Sequence, residues 1–496
     1  VAAGYTGIWL ETGAGLTGDL SLTNNAAIES IAGDTLERGI VSEHDGLGNN
    51  IVVNNGAIGS TTDRTVEHGI LAVNSNAAST GTLSVSGTGD IFSAAVGLAA
   101  SNAGSGLTTV NYSGGIDTTG AIGVDVHATG GGDVDLTLGD VTSAGAGVDV
   151  DISGGGSFTG SSDEDITAGT GQAVNITVLD EGSIDFTSTG SITSADNIAI
   201  SAFINSATGG DITLNLNDVT ADPTAAAVNA FSVSDAGNIT VTTNGTLTGG
   251  GGISASLTSA TATGDIIMTS NGDIAAEVLG ISAVNSGSGD IMVTAVGPIT
   301  ATTSDGVFAL ASGGNITIET GDVTAGSEAI VATQSDAADD GDIAITVNGE
   351  VTGATDGILA TNAGTGGITV TTGDGLVTGS AGSAIEAVST NATSADAVLV
   401  DVGAGGVAAA TDAIIITNAG TGPVTVNVAG SIAADAGDAI RVTSTNVAAG
   451  AIGITTTAGE TIAASGGEDR RPGRAARGLS RRLSEPRPGD PDHPRG

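Results

Sequence analysis

The chain of 496 residues holds 82 glycines, 8 prolines, no cysteine and 2 % aromatic residues, and its formal net charge of −44 comes with arginine as the only strongly basic residue. Disulfides, zinc-thiolate sites and cysteine nucleophiles are thereby excluded, the glycine spacing is not that of collagen, and so negative a surface repels phosphate backbones, which argues against nucleic acid as a partner. No run of 18 apolar residues exists, so no segment is suited to cross a membrane as a helix.

The chain opens on "VAAGYTGIWLETGAGLTGDL", with neither a basic n-region nor an apolar h-region. "GIWLETG" reads as the last strand of a coil that precedes Gly18, and the absence of a cap leads to the expectation of an N-terminal truncation. From Gly18 a small residue followed by a polar and then an apolar residue keeps returning. It recurs at Gly48, Gly81, Gly106, Gly132, Gly156 and Gly182, then at Gly210, Gly237, Gly264, Gly289, Gly314, Gly341, Gly366, Ala395, Gly422 and Gly450. The later spacings are 25 to 29 residues, and a fixed period of this size marks a repeat architecture. Residues 25–47 and 52–80 depart furthest from register and are the first place to look for a contact surface.

Each unit contains three short β-prone runs, as in "DIAITV", "EVTG" and "GILAT" after Gly341. A second corner glycine follows the anchor by seven or eight residues (Gly245, Gly272, Gly297, Gly349), and a third by fifteen to seventeen (Gly97, Gly123, Gly252, Gly280, Gly357). Positive φ at the corners is the expected reason for glycine there. Alternation in "DITLNL" and "NITVTT" turns Ile, Leu and Val inward. The period is too short for a propeller blade. These features predict an all-β fold, a right-handed parallel β-helix (β-solenoid) of about 17 coils of roughly 25–29 residues with three short strands per coil, over residues 1–467. Asn102, Asn285, Asn362, Asn391, Asn418 and Asn446 stand four residues before an anchor and are expected to form a structural ladder of stacked amides.

Units such as "GDIAITVNGEVTGATDGILATNAGT" and "GPVTVNVAGSIAADAGDAIRVTSTNVAA" resemble the β-helical passenger regions of Gram-negative autotransporters and related large surface adhesins. The resemblance implies an extracellular or cell-surface protein associated with the outer membrane, a β-barrel translocator supplied in cis or in trans, and a surface glycan or protein of a host or neighbouring cell as partner. The language changes in residues 468–496, "EDRRPGRAARGLSRRLSEPRPGDPDHPRG", which hold eight arginines and five prolines. That composition predicts a disordered tail, either a basic docking segment or an out-of-frame translation.

Three kinds of chemistry can be sought in the body of the chain. Asp211, Asp265, Asp290 and Asp342 share the position after the anchor and read as solvated turn residues, while "SSDEDIT" (Asp163, Glu164, Asp165) and "DAADDGD" (Asp336, Asp339, Asp340, Asp342) are the calcium candidates. No other cofactor is expected. His44, His68 and His127 pair with no recognisable nucleophile or metal motif and read as surface-turn residues. An interrupted outward row of Thr213, Thr240, Thr317, Thr369 and Thr425, broken by Met292 and Ala344, has the form of an ice- or glycan-binding face. Residues 1–467 carry three arginines, Arg38, Arg64 and Arg441, against 50 acidic residues, a poor endowment for holding acidic sugars. The resulting expectation is a non-catalytic stalk or adhesin. A calcium-dependent surface-layer or matrix protein is the alternative, and a polysaccharide-active β-helix enzyme comes third.

Overall fold

A five-residue strand with apolar first, third and fifth positions cannot bury that face alone. The computed structural model, which describes residues 5–31, 34–465 and the backbone of 480–483, shows how the chain buries it. In the coil that starts at Gly341 the first strand is Ile343–Val347, the second Val351–Gly353 and the third Ile358–Asn362. Each pairs in parallel with its equivalent one coil later, Ile343 beside Ile368, Val351 beside Val377 and Ile358 beside Ile385. Repetition of this step builds three parallel sheets, one from each strand type, around an apolar interior within each compact unit, and the fold is a parallel β-solenoid of about 17 turns in all.

The chain divides into two compact units, Val1–Ser312 and a second beginning at Gly313. In the first unit, first strands run from Leu20–Asn24 to Ile291–Ala295; in the second they run from Ile316–Thr320 to Ile452–Thr456. The strand Tyr5–Thr12 pairs with Leu36–His44 and so occupies the third-strand position ahead of the first full coil, as "GIWLETG" leads one to expect. In the first two coils the second strand shrinks to single bridges, Ile28 to Ile58 and Ile58 to Ile91. Of the arginine-rich segment 468–496, only Ser480–Leu483 lies among the described residues, as a strand beside Arg441–Ser444.

Stacking converts each inward position into a column. Ile212, Ile239, Ile266 and Ile291 follow one another on the first-strand sheet, each no more than 1 % exposed. Full burial of such a side chain contributes about 1.5–3 kcal/mol. Larger side chains need space from their neighbours: Phe158 and Phe186 lie 6.3 Å apart in successive coils, and the inward residue between them in the strand Phe158–Ser162 is Gly160, where any β-carbon would meet the Phe158 ring.

The corner glycines serve a different purpose from the one the sequence suggests. Among the described residues the positive-φ glycines include Gly182 and Gly314, but not Gly237, Gly264, Gly289, Gly341, Gly366 or Gly422. What those corners require is close approach. A methyl group on Gly264 would collide with the carbonyl oxygen of Gly237 in the coil before it, and one on Gly97 would meet the Ile116 side chain and the Gly123 carbonyl. Coils spaced at the ordinary interstrand distance of about 4.8 Å leave no room for a β-carbon that points along the rod axis.

Candidate functional site

Strand ladders satisfy backbone groups within the sheets, but at a corner the amide N–H of each coil needs another acceptor. Asp and Asn side chains of the preceding coil provide it. The Asp211 carboxylate accepts from Asn238 N (2.7 Å), the Asn238 side-chain oxygen from Asp265 N (2.8 Å), and Asp265 from Asp290 N (2.8 Å). In the second unit Asn315 accepts from Asp342 N (2.9 Å) and Asp342 from Gly367 N (2.6 Å). The second corner repeats the device with Asp218 and Thr246 N, and Asp322 and Glu350 N, both at 2.7 Å. The third does so with Asp356 and Ser383 N, and Asp412 and Asp438 N, both at 2.5 Å. All these bonds run the same way, acceptor in the earlier coil and donor in the later one. Much of the acidity is therefore corner chemistry, which a reading of Asp211, Asp265 and Asp342 as solvated turn residues does not reveal.

Of the calcium candidates, Asp165 and Asp342 take part in the same device, while the others hold their own loops or neighbouring side chains. Asp165 accepts from Ser191 N (2.8 Å), and Asp163 receives a long bond from the Thr189 hydroxyl (3.4 Å). The backbone carbonyl of Glu164 accepts from Ser162 (2.9 Å). All three acidic side chains are exposed. Asp336 caps its own loop through Ala338 N (2.9 Å), and Asp339 accepts from Gly341 N (2.7 Å) and Gly314 N (3.1 Å). Asp340 and Asp342 are exposed. Among the described residues no group of three or more His, Asp or Glu side chains is placed to hold a metal ion.

The six asparagines fall into two settings. Asn102, Asn285, Asn362 and Asn418 end third strands and are no more than 1 % exposed. Each accepts from the amide two residues on and donates to a corner carbonyl: for Asn285, Gly287 N (3.0 Å) against Gly289 O and Gly264 O (both 3.0 Å). Asn391 and Asn446 lie two residues beyond their strands and are half-exposed, because the buried terminal position there belongs to Ser389 and Ser444. Their amides cross to Ala337 O (2.8 Å) and Ala392 O (2.9 Å). None of these amides is bonded to another of the six; the partners just named are backbone groups.

A buried side-chain ladder does occur on the first-strand sheet. Asn24 donates to the Asn54 side-chain oxygen Oδ1 (2.7 Å), Asn54 donates to the Tyr112 hydroxyl (2.8 Å), and that hydroxyl donates to Gly89 O. The intervening coil has Gly87 in this register, which lets the Tyr112 ring approach. Burial pushes the Tyr112 phenol well above its usual range. The "TNN" and "VNN" pairs one coil apart were the available signal.

The outward surface carries the remaining polar chemistry. On the second-strand sheet Thr142, Thr167, Thr193, Thr220 and Thr248 stack in consecutive coils, a row less visible in the sequence than the broken one because its strands are only two or three residues long. Thr213 and Thr240 do stack on the first-strand sheet, but Ile267 and Met292 follow them. The irregular segments 25–47 and 52–80 are tied down: Arg64 pairs with Asp117 (2.7 Å) and lies 5.7 Å from the Phe92 ring centroid, Arg38 pairs with Glu67 (2.5 Å), and Asp63 accepts from Ser30 N (2.9 Å) and its hydroxyl (2.7 Å). The Arg38 guanidinium holds the Glu67 carboxyl below its usual range. Of the histidines, His44 is fully buried with Nδ1 2.5 Å from the Thr12 hydroxyl, contrary to a surface-turn reading. His127 stands outward on the third-strand sheet, 2.8 Å from Asp125 and 3.4 Å from Asp151.

No known family model, no curated protein and no solved structure matches this chain.

Proposed function

We propose that the chain is an exported, non-catalytic surface protein of a Gram-negative bacterium, a passenger-like stalk or adhesin displayed outside the outer membrane. The observation that supports this reading best is the use of corner carboxylates as acceptors for the next coil's N–H, from Asp211 through Asp265 and again at Asp342. Side chains that could carry chemistry are committed to adding coils, and the product of that commitment is length and repeated outward surface. An outer-membrane β-barrel translocator in cis or in trans would deliver it, and its faces would meet a surface glycan or protein of a host or neighbouring cell. No helix among the described residues is long and apolar enough to cross a membrane.

The test is display. The chain is fused to an outer-membrane β-barrel behind a secretion signal, and intact cells are treated with protease and assayed for adherence to immobilised glycans and cells. Loss of the chain on shaving, with adherence above that of barrel-only cells, is the expected result; a chain retained inside, or displayed without adherence to any surface, counts against the adhesive reading. The calcium-dependent surface-layer alternative draws on exposed Asp163, Glu164 and Asp165. A rise in Tm with calcium that chelator reverses would favour it. Release of reducing or unsaturated sugar from acidic polysaccharides would instead support an enzyme.

A further inference from the structure

The strand Ile122–Ala128 turns Asp125 and His127 outward, between Val96–Asn102 and Ala146–Ile152. On the earlier side the residues in register are Ala99 and Ser101, which carry no charge. On the later side they are Asp149 and Asp151. One imidazole is thus set among three carboxylates from two successive coils. Asp149 also accepts from the Asn175 amide (2.8 Å) of the coil after that. His68, two coils back on the same sheet, also feels the Asp125 charge, but burial and then Arg38 hold it below its usual range.

We propose that His127 is a proton-operated clamp between successive coils of the third-strand sheet. Charged, the ring stands within ion-pair distance of two carboxylates at once, Asp125 from Nε2 (2.8 Å) and Asp151 from Nδ1 (3.4 Å). Neutral, it keeps one N–H, presents a lone pair to the other carboxylate and leaves three negative charges facing one another.

The surroundings favour the charged ring. The close contact with Asp125 raises the His127 pKa above its ordinary value, and the charges of Asp125, Asp151 and Asp149 add to this against an opposing contribution from burial. Asp151 is raised as well, by burial and then by Asp149, as expected of a carboxylate crowded by its own kind. A histidine whose folded pKa is raised gives stability that is fully present below its unfolded value of about 6.5 and is lost as pH rises through the folded value. The sheet is therefore tightest at this point in mildly acidic surroundings and loosens as they become alkaline. Strands such as Gly251–Leu257 and Ile281–Asn285, which have no ionisable side chain, provide an internal control.

Hydrogen exchange on the full chain, corrected for intrinsic rates, tests this at about pH 5.5 and about pH 8.5. Amides of 122–128 and 146–152 are expected to exchange about threefold or more faster at the higher pH relative to those of 253–257 and 281–285. His127→Gln abolishes that difference, and NMR titration of His127 shows its midpoint falling in Asp125→Asn and in Asp151→Asn. These surface variants keep the interior intact, so loss of folding does not obscure the result. Equal exchange at both pH values in the wild-type chain, or a His127 midpoint unmoved by both Asn variants, overturns the proposal.

Discussion

Between Leu20 and Tyr112 the first strands end inward on Asn24, Asn54, Gly87 and Tyr112; between Ile212 and Ala295 they end on Leu216, Thr243, Ser270 and Ala295. The third strands differ in the same sense. Thr12, His44, Asn74 and Asn102 stack in the early coils, whereas Ile204, Ser232 and Leu257 stack later, ahead of a single asparagine, Asn285. In both regions the first strand turns three residues inward, yet at its last inward position the early coils rely on side-chain hydrogen bonds more than the later ones do. A buried polar column is stable only while each member is satisfied. The early one is satisfied unevenly: the Asn24, Asn54 and Tyr112 chain is complete, but His44 Nε2 and both polar side-chain atoms of Asn74 have no protein partner. The two regions should therefore fail in different ways.

Truncation of the later interior gives the largest effect. Ile239 is fully buried between Ile212 and Ile266, so Ile239→Ala is expected to lower stability by about 2–5 kcal/mol. Urea unfolding followed by circular dichroism measures this, and hydrogen exchange should place the loss in the coils adjoining residue 239. A cost below about 1 kcal/mol would mean that the column tolerates cavities and that apolar burial is not its main support.

The early interior should instead be sensitive to one oxygen atom. Tyr112→Phe keeps the ring over Gly87 but removes one of the two acceptors of the Asn54 amide, leaving Gly56 O, and removes the donor to Gly89 O. Unsatisfied groups in a buried site cost about 1–3 kcal/mol. The double variant Asn54→Leu with Tyr112→Phe removes both polar partners and should cost less than the sum of the single changes. Strict additivity in that cycle would show that the two groups do not act as one network.

How far the sequence reveals this architecture depends on how far apart in the chain the cooperating residues lie. Strand runs such as Ile343–Val347 and Ile358–Asn362 were readable because alternation and corner glycines are local and each copy reinforces the next. The function of the corner acids was not readable, because Asp265 and the N–H it serves on Asp290 are a full coil apart, and Asn238 does the same work with a different side chain. Asn391 and Asn446 show the limit from the other side. They satisfy the spacing rule from the anchor, but their third strands stop at Ser389 and Ser444, and the following loops absorb two further residues. The candidate sites suffered in the same way: Asp163 and Asp165 look like a local acidic cluster, yet their partners are Thr189 and Ser191.

The corner device can be examined apart from either interior. Asp265→Ala removes the acceptor for Asp290 N, a loss of about 1 kcal/mol at a partly exposed site. Asp265→Asn keeps an oxygen in place and should be close to neutral, as Asn238 already demonstrates in the preceding coil. If Asn proves as costly as Ala, the negative charge rather than the acceptor atom is what the corner requires. Thermal unfolding of the two variants side by side separates these outcomes.

Asp235 offers the smallest effect and the cleanest reading of a single carboxylate. It lies in the loop after the third strand Ala226–Ser232 and accepts from the hydroxyls of Ser259 and Thr261 (2.7 Å for the latter) in the next coil. Those bonds, from Ser259 first and Thr261 second, hold its pKa below the ordinary value. A depressed folded pKa contributes stability that is present above the unfolded value and disappears as pH falls through the folded one, so the contribution is intact at neutral pH and lost only in acid. NMR titration of the Asp235 carboxyl should find its midpoint below about 3.9, and Ser259→Ala with Thr261→Ala should return it toward that value. Because the carboxylate is open to solvent, the double variant should shift the titration while leaving neutral-pH Tm nearly unchanged. A large fall in Tm instead would mean that the two hydroxyls hold the loop itself, and that the bonds between coils matter as much on the surface as the Asn24 to Tyr112 chain does inside.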